Sequence, residues 1–225
     1  TTLFYMQKQQ EAFHHPFIQD RLSTMNETPH HNLLLEEIQI RRSSKLYDPE
    51  KHLDSATVHS LMEAARWAPS SGNGQPWRYI LFPKDDLELF SIGLSLLNED
   101  NQTWARYAAL LILSIAQEIR PNGKFNAKAL HDLGLANQNI LLQAVHLGLN
   151  CRPMGGFDAD RAIMTLGIPD GYKPVAMIAV GYQGHSKDLP DDIIRGDSMP
   201  RKRNSIEDFV FSGKWNVRMN SGGLL

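Results

Sequence analysis

From Leu33 onward the chain mixes two hydrophobic periods, a three-to-four-residue spacing and short apolar runs, which predicts an α+β or α/β domain rather than a bundle or a sandwich. A helix is expected over Leu33–Ile40. Asp54 is placed to cap a second helix, in which Val58, Leu61, Met62 and Ala65 recur at i, i+3, i+4 and i+7. That stripe stops before Pro69 and leaves Pro69–Gly74 as a loop. Arg78–Phe82 reads as a strand, Asp85–Leu97 as a helix, and Ala108–Ile115 as a strand apolar on both faces, so the sheet should carry helices on both sides. The clearest helix is Ala129–Leu147. Leu130, Leu133, Ala136, Ile140, Ala144 and Leu147 share one face, and Leu135, Leu142 and Val145 spread apolar character nearly all round. Such a helix belongs at the centre of a domain and in a subunit interface. Asp158 caps a short helix stopped by Gly167 and Pro169, and Pro174–Val180 is another buried strand. After Gly184 the chain turns polar, ending in a brief amphipathic piece over Ile206–Phe211.

Composition narrows the class. At 225 residues and 42% apolar content the chain can bury a substantial core, and no internal repeat or low-complexity linker divides it. Residues 32–225 are expected to form a single domain with an extended C-terminal tail, preceded by an arm over 1–31. With 23 Lys+Arg against 25 Asp+Glu, no global field favours nucleic acid or an acidic membrane, and any bound anion must meet a local basic cluster. No apolar run approaches the roughly 20 residues that span a bilayer. Cys151, the single cysteine, excludes an intramolecular disulfide and a Cys-based zinc site; the cytoplasm is the expected compartment. No metal site is expected. His14-His15 and His30-His31 are sequence neighbours in a polar arm, and His131 and His146 lie too far apart along one helix to share an ion.

Three segments concentrate unusual residues. Arg41-Arg42-Ser43-Ser44-Lys45 supplies three cations and two hydroxyls after a helix, suited to a phosphate or simply to the negative end of the helix dipole. Pro69-Ser70-Ser71-Gly72-Asn73-Gly74-Gln75-Pro76-Trp77 presents small polar side chains and backbone donors between prolines, and it is also readable as a plain helix-to-strand connection. No Gly-x-Ser-x-Gly elbow surrounds its serines. Pro153-Met154-Gly155-Gly156-Phe157 permits close backbone approach to a flat ligand, or a tight turn before Asp158. Trp104 and Tyr107 are candidates either to roof a cavity or to fill core, and Cys151 reads as a packed small residue.

In this order, A-P-S-S-G-N-G-Q-P-W at Ala68–Trp77, preceded by R-R-S-S-K and followed by M-G-G-F-D at Met154–Asp158, the chain resembles the FMN-dependent nitroreductase family over roughly Leu34–Phe211. The resemblance implies an α+β three-layer fold, a mixed, mainly antiparallel sheet flanked by helices, in an intertwined homodimer with FMN at the subunit interface. It implies that Arg41, Ser43 and Lys45, with Arg42 beside them, hold the phosphate and the pyrimidine edge of the flavin, and that Arg201 and Arg203 close on the phosphate. Pro69, Ser70, Ser71 and Asn73, continued by Gln75, resemble a loop that reaches the partner's flavin. Met154, Gly155 and Gly156 resemble the stretch facing flavin N5, and Asn101 a residue near the pyrimidine edge, although Trp104 stands where some relatives carry Lys. The implied activity is a ping-pong transfer from transiently bound NAD(P)H to a nitroaromatic, quinone or similar small-molecule acceptor, without a required catalytic side chain. G-x-G-x-x-G and P-loop signatures are absent. Other activities of the same fold on a dedicated metabolite (ene reduction, dehalogenation, dehydrogenation) and a non-catalytic flavin-binding or redox-sensing role remain alternatives. The short Leu97–Trp104 and Arg120–Phe125 stretches imply an open site.

Overall fold

Four runs dominated by β-branched and large apolar residues pair into one sheet, and their burial dictates the rest of the architecture. The computed structural model describes residues 33–185 and 189–218; the arm expected over 1–31, with its His14-His15 and His30-His31 pairs, lies outside the described residues. The strands are β1 (Trp77–Pro83), β2 (Leu110–Gln117), β3 (Leu149–Met154) and β4 (Tyr172–Tyr182), in the order β1-β2-β4-β3. All described pairings are antiparallel, so the parallel component of the expected mixed sheet is absent among the described residues. β2 lies between β1 and β4 with seven of its eight residues buried, as its two apolar faces require. Pro153 sits in edge strand β3, and Pro174 adjoins the register shift in the β2–β4 pairing, the two contexts in which a missing N–H is tolerated.

The remaining elements are α1 (Glu36–Ile40), α2 (Ser55–Arg66), α3 (Leu87–Ser95), α4 (Glu99–Ala105), α5 (Ala129–His146), α6 (Ala159–Leu166) and α7 (Asp191–Ser198). Side-chain alternation sorts them into layers. On one face of the sheet Leu110, Ile112, Ile178 and Val180 pack with Leu61 and Ala65 of α2 and Leu133, Ala136 and Ile140 of α5. On the other, Leu111, Leu113, Met177 and Ala179 pack with Phe90 of α3, Trp104 of α4 and Ala162 of α6. Helices therefore cover both faces, as expected. Asp54, Asp86 and Asp158 cap α2, α3 and α6 through their carboxylates, each such cap being worth about 1 kcal/mol.

Several boundaries differ from expectation for local reasons. The helix expected over Asp85–Leu97 begins at Leu87, because Asp86 accepts from the Leu89 N–H, and it ends at Ser95. The stretch that follows is not an open connection: Asn98 caps α4, and Trp104 at the far end of that helix is fully buried. α1 starts only at Glu36, with Leu33–Leu35 exposed. α5 buries Leu133, Ala136, Ile140 and Ala144, but Leu130 on its expected core face is 46% exposed.

Candidate functional site

The basic segment after α1 does not stand alone. It forms one wall of a cavity of about 420 Å³, and the polar chain after β4 folds back to form the other. Arg41, Arg42, Ser43 and Lys45 line the first wall; Asp192, Ile193, Gly196 and Asp197 of α7, then Arg201 and Arg203, line the second. The two walls are tied by reciprocal charge-assisted bonds. Asp197 accepts from Ser44 Oγ at 3.0 Å and from the Lys45 backbone N–H at 2.9 Å. Arg42 donates to the Met199 carbonyl at 2.6 Å, and Arg201 donates to the carbonyls of Arg41, at 2.7 Å, and of Gln39. Each such bond to a charged group is worth about 1.5–3 kcal/mol.

The cavity is electropositive beyond what these bonds neutralise. Six cations face two carboxylates around it. Burial, and then the neighbouring charges of Arg203, Arg41 and Arg42, hold the Arg201 pKa below its ordinary value, so an anion entering here relieves repulsion already built in. Lys45 Nζ has no hydrogen-bond acceptor among the described residues and is therefore available to a ligand.

The sixth cation, Arg152, was not expected. It projects from β3 into the cavity, donates to the Ser43 carbonyl, and lies 5.4 Å from the ring centroid of Trp104. Lys45 lies 5.9 Å from the same ring. Trp104 is thus core and cavity support together: fully buried, stacked with Tyr47, and with an Nε1 donor that has no partner among the described residues. A signal for Arg152 did exist in the sequence, because it precedes Met154-Gly155-Gly156 by two residues and alternation in β3 turns it toward the Met154 face.

The Gly155-Gly156 turn adjoins this cluster through α4. Asn101 donates to the Gly156 carbonyl at 3.1 Å, as does the Asn98 backbone N–H, so Asn101 and the glycine pair lie together. A Cβ on Gly156 would fall 2.7 Å from the Asn98 amide nitrogen, whereas one on Gly155 would meet open space. The N–H groups of both glycines have no acceptor among the described residues. Met154 itself is buried in the core.

The third segment lies elsewhere. Ser70, Ser71, Asn73 and Gln75 precede edge strand β1, whereas the cavity adjoins the opposite edge strand β3, three strand spacings or about 14 Å across the sheet. Pro69 and residues 71–75 are exposed. The loop is anchored from below: the Ser71 N–H donates to buried Asp132 of α5 at 3.0 Å, and the Gln75 N–H to Ser70 Oγ at 3.0 Å. Gly72, Asn73 and Gln75 hold φ of 58°, 53° and 45°, a conformation that orients the loop's polar groups outward at some backbone strain. Cys151 is buried and donates to the Leu141 carbonyl, the packed role expected of it.

The donor set suits the FMN that the sequence resemblance implies. Clustered guanidinium groups match a phosphate dianion, and the Lys45 ammonium with the Gly155 and Gly156 N–H groups, which have no acceptor among the described residues, match the polar edge of a flat ring. Comparison with known proteins agrees. The sequence model of the Nitroreductase family matches residues 38–97 and 95–182. A solved structure described as an oxidoreductase containing FMN shares 32% identity at a TM-score of 0.78, covering 86% of this chain and 96% of its own. The uncharacterized 15.4 kDa protein of the ask 5′ region in Mycolicibacterium smegmatis is 35% identical over 128 residues, 57% of this chain and 85% of that protein. The major NAD(P)H-flavin oxidoreductase of Aliivibrio fischeri is 23% identical over 221 residues, 79% of this chain and 97% of that protein. The chain therefore belongs to the nitroreductase family of oxidoreductases.

Proposed function

We propose that this chain is an FMN-dependent oxidoreductase that takes electrons from NAD(P)H and passes them to nitroaromatic, quinone or similar electron-poor acceptors, working as a homodimer with FMN at the subunit interface. The observation that carries the reading is the convergence of Arg41, Arg42, Lys45, Arg152, Arg201 and Arg203 on one cavity, with Arg152 on the strand that leads into the Gly155-Gly156 turn, whose N–H groups have no acceptor among the described residues. FMN, when bound, supplies hydride acceptance from the nicotinamide and delivery to the acceptor.

The protein's own residues bind, orient and shield. Arg41, Ser43, Arg201 and Arg203, with Arg42 beside them, hold the phosphorylated end; Lys45 and Asn101 hold the pyrimidine edge. The backbone of Gly155 and Gly156 donates toward the ring's central nitrogen. Trp104 and Tyr47 form a dry floor under Lys45, which lowers the local dielectric and strengthens that charge. Pro69, Ser70, Ser71, Asn73 and Gln75 reach the flavin of the second copy, because within one chain the sheet separates them from the cavity. Catalysis then rests on proximity: the nicotinamide and the acceptor occupy the same place in turn.

Steady-state oxidation of NADH and of NADPH at several concentrations of a nitroaromatic acceptor tests this. Parallel double-reciprocal lines are expected. Intersecting lines contradict the shared site, and no turnover by FMN-loaded protein contradicts the enzyme.

A further inference from the structure

Two cations on one buried indole form an arrangement that the phosphate-holding role does not use. Arg152 Nη1 donates to the Ser43 carbonyl while its guanidinium lies 5.4 Å from the Trp104 centroid; Lys45 Nζ lies 5.9 Å from the same centroid. Both project into the cavity, and Trp104 beneath them is fully buried, its indole N–H without a partner among the described residues. An electron-rich aromatic face offsets part of the repulsion between like charges and fixes their positions. This pair lies on the Gly155 side of the cavity. Arg152 and Gly155 flank Met154 at the end of the same strand, and Trp104 is one helical turn beyond Asn101, which hydrogen-bonds to Gly156. Arg42 and Arg201, by contrast, are committed to backbone carbonyls that tie the two walls together, Arg42 to Met199 after α7 and Arg201 to Arg41 and Gln39 at the end of α1.

Resting on the FMN reading above, we propose that Arg152, positioned by Trp104 and Ser43, sets the reduction potential of the bound flavin: with Lys45 it provides fixed positive charge at the ring end of the cavity, and so stabilises reduced FMN over oxidised FMN. Two-electron reduction at neutral pH leaves negative charge on the pyrimidine portion of the ring, and a nearby cation favours that state. The planar fork of Arg152 is held on two sides, by the Ser43 carbonyl and by the Trp104 ring, so the charge does not swing away.

The test measures FMN affinity by fluorescence titration and the midpoint potential of the bound flavin by equilibrium against a reference dye, in wild type, R152Q and R152K. R152Q is expected to weaken binding of reduced FMN about tenfold more than it weakens binding of oxidised FMN, which for a two-electron couple lowers the potential by about 30 mV. R152K restores the charge and is expected to recover more than half of the shift. R152L fills the same edge-strand position with apolar volume and replaces R152Q if that variant does not fold. A wild-type potential in R152Q or R152L overturns the inference, as does R152K as low as R152Q. A wild type that binds no FMN removes the proposed function along with it, so the two failures are distinct.

Discussion

The cavity beside β3 and the Ser70–Gln75 loop beside β1 are both polar, both built from short motifs, and opposite in how the fold uses them. At the cavity, side chains from residues more than 150 positions apart converge, as Ser44 and Asp197 do, and much of their hydrogen-bonding capacity goes to holding the two walls together. In the loop the backbone itself is shaped, with three positive-φ residues within four positions at Gly72, Asn73 and Gln75, anchored to Asp132 and exposed on the outer side. A binding wall assembled by long-range contacts is complete within one chain. A pre-shaped loop facing away from its own cavity is useful for what another molecule brings to it, and under the proposed function that molecule is the second copy.

The largest expected effect separates the two regions. Arg201→Ala with Arg203→Ala removes two cavity cations and should weaken FMN binding at least a hundredfold, since two charge-assisted interactions are worth about 3 kcal/mol or more; flavin fluorescence titration reads it, and an unchanged affinity refutes the clamp. Arg201→Ala alone also frees the carbonyls of Gln39 and Arg41, so it loosens the C-terminal wall as well.

Asp197→Ala tests that wall without touching a cation. Losing the bonds from Ser44 Oγ and the Lys45 N–H should lower the melting temperature of the flavin-free protein by about 4–8 °C, for about 2 kcal/mol in a domain of this size. An unshifted melt means that α7 is held by other contacts.

Asn73→Ala sharpens the other side of the comparison. It touches nothing in its own chain's cavity, yet under the proposal FMN affinity should fall about fivefold, the worth of one ordinary hydrogen bond. Alanine at φ 53° should also reduce stability by about 1 kcal/mol. Wild-type affinity in a variant that has lost stability places the loop outside the flavin site.

The legibility of the two regions in the sequence differed for physical reasons. The loop was legible as a block because every feature it needs is local: Pro69 and Pro76 bound it, and Gly72, Asn73 and Gly74 tolerate its turns. The first cavity wall was legible for the same reason, as Arg41–Lys45 is contiguous. The second wall was only half legible. Asp-Asp-Ile-Ile-Arg-Gly-Asp-Ser has no continuous apolar stripe and contains Gly196, so α7 carries little local helix signal; it is placed by contacts such as that of Asp197 with Ser44 and Lys45, which periodicity does not encode. β3 was missed because Leu-Asn-Cys-Arg-Pro-Met alternates over only four residues before Pro153, a residue tolerable at a sheet edge, interrupts the pattern, and Arg152 was missed with it. α4 reads as a polar connection until the burial of Trp104 is known. The core of α5 was plain from its period, while Leu130 illustrates that apolar spacing does not say which end of a helix stays covered.

The smallest expected effect lies outside both regions and calibrates them. Burial pushes the Glu37 carboxyl up, but its hydrogen bond with His146 at 2.9 Å, the hydrogen bond from its own backbone N–H and the charge of His146 together outweigh burial and hold the pKa below the ordinary 4.5. A carboxylate with a lowered folded-state pKa stabilises the fold above that ordinary value and loses the contribution as pH falls through the folded one. Glu37→Gln should therefore flatten the drop in melting temperature between pH 5 and pH 3 by about 1–2 °C, as suits a partly exposed pair. A slope identical to wild type contradicts the assignment.

The most direct measurement of the central claim is the amount of FMN bound per chain at saturation, read by visible absorbance together with the mass of the flavin-loaded particle in solution. The account predicts one FMN per chain in a particle of two chains. Protein that stays colourless after incubation with FMN, or that binds it as a stable monomer, contradicts the account.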